Sequence, residues 1–130
     1  VKSEQVFKPE TARLMRAMMV NTVHRGGTAS RVKVAGYTVA GKTGTANKVK
    51  DGRYTRDTVA SFVGIVPATA PRFIVAVMID EPKKGSRFGG AVATPVFNEV
   101  AAGVLRTLMV KPDAPAPADR TSARRAAKAK

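Results

Sequence analysis

Residues 36–46 read GYTVAGKTGTA, and this stretch decides between two folds. Its first part, GYTVAGKT, satisfies the pattern G-x-x-x-x-G-K-[ST] of phosphate-binding loops. Its last part, KTGTA, is instead compatible with a strand that presents a lysine beside two threonines. In a phosphate-binding loop the lysine opens a helix whose N-terminal amides hold the phosphates. The residues that follow Lys42 therefore distinguish the two hypotheses.

The sequence after Lys42 favours the strand. It reads TGTANKVKDGRYTRD, in which Gly44, the threonines and the Asp51-Gly52 turn signal do not form an amphipathic helix. The residues before it, 37–40, are bulky and strand-forming where a phosphate loop needs its amides to close on an anion. A nucleotide-binding module of the phosphate-loop type is kept as an alternative.

As a strand, residues 42–45 offer a specific chemistry. Lys42 supplies one fixed positive charge, Thr43 and Thr45 supply hydroxyls, and Gly44 has no side chain to hold a ligand away from the backbone. Such an edge can bind a carboxylate, add an extended peptide as a further strand, and direct an amide at a developing oxyanion. Because side chains alternate along a strand, Lys42 and Thr43 serve one site only through strand twist and the long lysine stem.

The flanking segments predict an antiparallel sheet between two helices. Apolar residues recur at three- and four-residue steps from about Pro9 to His24, and Leu14, Met15 and Met18 are expected in the core. Residues 59–66 and 73–79 are apolar on both faces, and only PATAPR joins them, so they are predicted antiparallel neighbours in a sheet from residues 36 to 80.

A second helix is predicted over 94–109, capped by Thr94 with Pro95 at its first position. We expect an ordered domain over 1–112 and a disordered basic Ala/Pro-rich tail over 113–130. A strand that is apolar on both faces must be sandwiched. Three strands and two helices are therefore expected to leave a sheet edge and an apolar helix surface uncovered.

Composition excludes several classes of function. The chain of 130 residues carries a net charge of +14, no cysteine and one histidine, His24, so thiol chemistry and a clustered metal site are excluded. No basic block outside the tail interleaves with aromatic residues, which argues against nucleic-acid binding. A basic, non-catalytic interaction segment is a further alternative. The longest apolar run, 73–79, is far shorter than a membrane span.

Three segments together resemble a known family: VAGKTGTA at 39–46, the run from Val59 to Pro82, and FGGAVATPVF at 88–97. They are similar to the C-terminal part of the transpeptidase domain of class B penicillin-binding proteins, most of all to the division-specific type, over about residues 7–112. The KTG triplet also occurs in serine β-lactamases and carboxypeptidases, but the combination with the other two segments distinguishes this group.

The resemblance implies an α/β (α+β) fold of the penicillin-recognising type, here only its C-terminal part, with antiparallel strands and flanking helices. It implies a D,D-transpeptidase that cross-links peptidoglycan stem peptides through a serine acyl-enzyme, without metal or cofactor, and that β-lactams acylate. The implied partners are the N-terminal remainder of the domain, stem peptides, β-lactams and proteins of the division machinery. The implied location is the periplasmic face of the bacterial inner membrane, with the anchor outside this chain.

The resemblance also assigns residues. It implies that Lys42 assists proton movement and attracts the substrate carboxylate, and that Thr43, Gly44 and Thr45 contact the substrate. The amide of Thr45 would be an oxyanion donor, and Phe88 would wall the cleft.

The nucleophile of this family is a serine in an S-x-x-K motif, supported by an S-x-N motif. SRVK at 30–33 fits the first by spelling alone, because it lies in a loop between the first helix and the strand. No S-x-N occurs in the sequence. We therefore expect the nucleophilic serine in an upstream segment, and we expect His24, at a helix end, to be structural or solvated.

Overall fold

The computed structural model describes residues 2–24 and 26–114. Its elements in chain order are helix α1 (Pro9–Val23), strands β1 (Ala40–Lys50), β2 (Arg53–Val66) and β3 (Phe73–Asp80), and helix α2 (Gly89–Thr107). The strands form one antiparallel sheet in the order β1-β2-β3. The predicted antiparallel sheet with flanking helices is confirmed.

The strand hypothesis for Lys42 is confirmed and the phosphate-loop alternative is wrong. Lys42 lies inside β1, and no helix follows it before β2. The strand begins at Ala40, so most of the strand-forming segment 37–40 precedes it, and it continues to Lys50. Asp51 and Gly52, both at positive φ, close the hairpin to β2. This left-handed geometry suits glycine and is tolerated by aspartate.

The core lies between α2 and one face of the sheet. Phe62 of β2 and Phe97 of α2 are fully buried and meet edge to face, with ring centroids 4.8 Å apart. Gly41 and Gly64 are cross-strand partners beneath these rings. A Cβ at Gly64 would lie 2.5 Å from the Phe97 ring, and one at Gly41 would lie 2.3 Å from the Phe62 ring. The glycine pair is thus a requirement of aromatic packing.

Helix α2 begins at Gly89, so the predicted start at Thr94-Pro95 is wrong. Thr94 is buried inside the helix and donates its hydroxyl to the Gly90 carbonyl at 2.9 Å. The first turn packs directly on backbone: a Cβ at Gly89 would lie 2.2 Å from the Ser61 carbonyl oxygen. The close packing of the Gly89-Gly90 turn on the strands determines where the helix starts. The capping pattern at Thr94 and Pro95 therefore does not mark the start of the helix.

Helix α1 matches its predicted bounds, but its apolar stripe is not in the core. Leu14 is 61% exposed and Met18 is 55% exposed. Among the helices and strands described, α1 contacts only β1. The periodicity correctly identified a face suited to burial, and nothing in residues 2–24 or 26–114 covers it.

The second face of the sheet is uncovered in the same way. Ile74 and Met78 of β3 are 72% and 74% exposed, and Val63 of β2 is also exposed. Val63 pairs with Ala76 of β3, and Ile74 and Met78 lie two residues on either side of Ala76, so all three share the face opposite α2. The uncovered apolar helix surface predicted from the sequence is present on α1, and the exposed sheet face is a further finding.

Ordered structure extends beyond the predicted domain end at Pro112. The Asp113 carboxylate accepts hydrogen bonds from the backbone N–H of Thr38 at 2.7 Å, from the Thr69 hydroxyl at 2.6 Å and from the Thr38 hydroxyl. Its own N–H donates to the Gly36 carbonyl at 3.1 Å. Asp113 therefore joins the segment before β1 to the β2–β3 turn. The remainder of the predicted tail, 115–130, lies outside the described residues.

Two further findings concern the described part of the chain only. No helix in it combines the length and apolar character needed to cross a membrane. No group of His, Asp and Glu side chains in it is arranged to hold a metal ion.

Gly64→Ala should destabilise the fold, because the added methyl overlaps the Phe97 ring. We expect a loss of about 1–3 kcal/mol in the free energy of unfolding, measured by urea denaturation. Gly103→Ala in α2 is the control, since a Cβ there meets nothing within 4 Å, and it should stabilise the helix by up to about 1 kcal/mol. Equal effects at the two sites would contradict this account of the core.

The stabilisation from Asp113 should depend on pH. Burial raises the pKa of Asp113, but hydrogen bonds from Thr38 and Thr69 outweigh it and leave the pKa below its usual value. The contribution is therefore complete above the unfolded pKa of about 3.9 and is lost as pH falls through the lower folded pKa.

The test compares melting temperatures of wild type and Asp113→Asn from pH 7 down to pH 2. The variant should melt lower at neutral pH, and the gap should close below about pH 4. Glu99→Gln, at an exposed helical position, should show no such gap. A gap for Asp113→Asn that stays constant to pH 2 would show that the ionised carboxylate is not the stabilising group.

Candidate functional site

The outer edge of β1 presents unpaired backbone groups. Thr22 of α1 donates its hydroxyl to the Gly41 carbonyl, so that carbonyl points away from β2. Thr38 lies three residues before Gly41, so its carbonyl points to the opposite side. There it accepts a hydrogen bond from the N–H of Ala68 at 2.9 Å. Peptide direction alternates along a strand, so the N–H and C=O groups of Thr43 and Thr45 also point to the outer edge. No described strand pairs with them.

The ammonium group of Lys42 reaches the same edge. Alternation places its side chain on the face opposite Thr43, as expected from the sequence. Its Nζ nevertheless donates to the Thr43 carbonyl oxygen at 3.0 Å. Because that carbonyl faces the outer edge, the long side chain of Lys42 places its ammonium group at this edge of the strand.

A cleft of about 370 Å³ lies beside this edge. Its lining is rich in hydroxyl groups and contains one guanidinium, one aromatic ring and no carboxylate. It is formed by Thr28, Ser30, Arg31, Thr43, Thr45, Ser86, Phe88, Gly90 and Ala91. The structure thus brings together Thr43, Thr45 and Phe88 from the predicted site residues. Lys42 and Gly44 are not part of the lining.

Hydrogen bonds orient both threonines of β1 in the cleft. The Thr43 hydroxyl donates to the Thr28 hydroxyl at 3.3 Å, and the backbone N–H of Gly89 donates to the Thr45 hydroxyl at 3.2 Å. Since the Thr45 oxygen is the acceptor, its proton stays available for a ligand. The first turn of α2 therefore positions the hydroxyl that the sequence identified.

Gly44 has a packing task in this geometry. A Cβ at this position would lie 2.4 Å from the Ser61 side-chain oxygen. The peptide of Gly44 also faces β2, where Ser61 is its partner. The close approach of β1 and β2 therefore requires glycine here, a packing role in addition to the ligand contact expected from the sequence.

Ion pairs hold the loop that carries Ser86 and Phe88. Lys48 of β1 lies 2.8 Å from Glu81, and Lys83 lies 3.1 Å from Glu81 and 2.9 Å from Asp57. Hydrogen bonds from Lys48 and then Lys83 lower the pKa of Glu81 to about 2, so it is ionised at neutral pH. The pairs tie the start of this loop to the neighbouring strands.

Phe88 forms the wall of the cleft at the end of that loop. The buried Thr58 donates its hydroxyl to the Arg87 carbonyl at 3.2 Å, which fixes the backbone just before the ring. The Arg87 guanidinium lies 5.5 Å from the centre of the ring, within range of a cation–π contact. The exposed ring is thus held at the cleft by backbone and charge contacts.

The S-x-x-K spelling at 30–33 does not produce a serine–lysine pair. Ser30 lines the cleft, but Lys33 lines a separate cleft of about 530 Å³ together with His24 and Tyr37. Ser30 lies in a turn, and His24 is exposed at the end of α1. Neither residue is therefore paired with a base or nucleophile in this cleft.

Thr28, Arg31 and Ser86 are cleft residues that the sequence did not identify. All three lie in irregular loops, where no periodic pattern marks which side chains face one another. Together with β1 they make a site with hydroxyl and amide donors and positive charge, suited to a carboxylate. The described residues hold no activated nucleophile beside the cleft. What the site offers is a set of hydroxyl and outward-facing amide donors.

Comparison with known proteins gives a consistent result. Residues 1–102 match the family described as the penicillin binding protein transpeptidase domain. The chain is 46% identical over 115 residues to the probable peptidoglycan D,D-transpeptidase PenA of Neisseria flavescens, covering 88% of this chain and 29% of the relative. It is 43% identical to the peptidoglycan D,D-transpeptidase FtsI of Escherichia coli K12, covering 88% of this chain and 20% of the relative.

A solved structure agrees with these relatives. The transpeptidase domain of Burkholderia pseudomallei penicillin-binding protein 3 superposes with a TM-score of 0.80 at 43% identity, covering 88% of this chain and 35% of that one. The chain thus spans between a fifth and about a third of the length of the proteins it matches.

Proposed function

Because the chain belongs to the penicillin-binding protein transpeptidase family, we propose that it is the C-terminal part of a peptidoglycan D,D-transpeptidase of the septal type. In this proposal the enzyme cross-links stem peptides through a serine acyl-enzyme and is a target of β-lactams. The observation that carries the proposal is the outward-facing N–H of Thr45, beside two hydroxyls and one ammonium group at a free strand edge.

The proposed substrate position follows from the edge. An extended peptide adds to β1 as a further strand, with its backbone against the outward peptide groups of Thr43 and Thr45. The hydroxyls of both threonines and the ammonium of Lys42 bind its terminal carboxylate. This places the last peptide bond near the N–H of Thr45.

The proposed chemistry is acyl transfer. A serine oxygen attacks the carbonyl carbon of the last peptide bond, the oxyanion is stabilised by the N–H of Thr45, and the terminal residue leaves as an amine. A second amine, from another stem peptide, then attacks the acyl-enzyme. Lys42 assists proton movement during these steps.

The uncovered apolar surface supports an upstream partner segment. The stripe of α1 and the free sheet face are apolar and exposed, as parts of a larger core are when the rest of it is missing. We propose that the N-terminal remainder of the transpeptidase domain covers them and supplies the nucleophilic serine. In this proposal the enzyme acts at the periplasmic face of the inner membrane, where peptidoglycan lies, and division proteins are its partners.

Labelling with a fluorescent penicillin tests the proposal. The chain joined to the upstream part of its domain should become covalently labelled, and the chain by itself should not. Mass spectrometry of the labelled peptide should place the adduct on a serine upstream of residue 1. An adduct on Ser30, or no labelling of the joined protein, would contradict the proposal.

A further inference from the structure

We propose that Arg31 determines substrate specificity by binding a second anionic group, separate from the terminal carboxylate. This inference rests on the proposed function and adds a residue and a ligand class to the same cleft. Nothing in the sequence pattern singled out Arg31, because it lies in a loop between α1 and β1.

Arg31 is the basic residue that lines the cleft itself. Its neighbours in the lining include Thr28, Thr43 and Thr45, and no carboxylate is present there. The acidic residues that form ion pairs in the described chain are Asp57, Asp80 and Glu81, and their partners are Lys48 and Lys83. Arg31 is exposed and lines this hydroxyl-rich cleft, and it forms no ion pair with an acidic residue in the described part of the chain.

The backbone that carries Arg31 is held in place by α2. The Asn98 side chain accepts from the N–H of Lys33 at 2.9 Å and donates to the Arg31 carbonyl at 3.0 Å. The buried side chains of Ala29 and Val32 fix the loop on both sides of Arg31. A cation on an anchored loop loses less freedom on binding a ligand than one on a mobile loop.

Lys42 and Arg31 lie on different segments of the chain, which favours the binding of two separate anionic groups of the substrate. The ammonium of Lys42 lies at the outer edge of β1, 3.0 Å from the Thr43 carbonyl, and belongs to the proposed site of the terminal carboxylate. Arg31 belongs to the loop before β1 and reaches the cleft independently. The planar fork of a guanidinium suits a carboxylate, which it can bind through two hydrogen bonds. The ligand class we assign to Arg31 is therefore a carboxylate on the substrate side chain.

A pair of penicillins tests this assignment in the chain joined to its upstream segment. Benzylpenicillin and α-carboxybenzylpenicillin differ by one carboxylate on the side chain. Arg31→Gln should lower the second-order acylation rate constant of the α-carboxy compound by about tenfold relative to that of benzylpenicillin. The benzylpenicillin rate in the same variant shows that the site is still folded.

Lys33→Gln is the matched control, because it removes the same charge two residues away from a side chain that lines the other cleft. Lys33→Gln should leave the ratio of the two acylation rate constants at its wild-type value. Arg31→Lys should bring this ratio closer to the wild-type value than Arg31→Gln does. An equal loss for both penicillins in Arg31→Gln would show that Arg31 binds the shared carboxylate, and an equal change in Lys33→Gln would show a general charge effect. Either result would overturn the assignment, and a wild-type protein that neither penicillin acylates would overturn the proposed function as well.

Discussion

The site depends on the direction in which the peptide groups of β1 face. The hydrogen bond from the Thr22 hydroxyl to the Gly41 carbonyl shows that the Gly41 carbonyl faces away from β2. Peptide direction alternates along β1 from Ala40 to Asn47, before the register shift at Asn47 to Val49, so the direction of the Gly41 carbonyl fixes those of Thr43 and Thr45. With Gly41 facing outward, the N–H groups of Thr43 and Thr45 face outward too. A shift of one residue would turn these groups into β2 and would move both hydroxyls to the opposite face of the sheet.

This register is maintained by contacts that only glycine permits. Gly41 and Gly64 face each other across β1 and β2, beneath the Phe62 and Phe97 rings. Gly44 accommodates the Ser61 side chain, and Gly89 brings the first turn of α2 onto the strand backbones. The same turn donates to the Thr45 hydroxyl. The contacts that pack the core therefore also orient the residues of the site.

The sequence predicts what depends on local pattern and misses what depends on tertiary contact. The antiparallel strands, the edge position of residues 42–45 and the uncovered apolar surface follow from apolar patterning and loop length. The start of α2 was misplaced because the cap signal at Thr94 is local, whereas the packing of Gly89 on β2 is not. The positions of the Arg31 backbone and of the Asp113 carboxylate depend on contacts with Asn98 and with Thr38 and Thr69, far along the chain, which no local pattern reveals.

The most direct test of the central claim compares Thr45→Pro with Thr45→Ala in the acylation-competent enzyme. Because the N–H of Thr45 faces the free edge, proline should remove it without breaking the ladder to β2, and circular dichroism should stay native. Penicillin acylation should then fall by about a hundredfold or more for Thr45→Pro, as for Lys42→Ala, but only by about tenfold for Thr45→Ala, which keeps the amide. If the proline and alanine variants are acylated at the same rate, the Thr45 amide is not the oxyanion donor and the account of this edge is wrong.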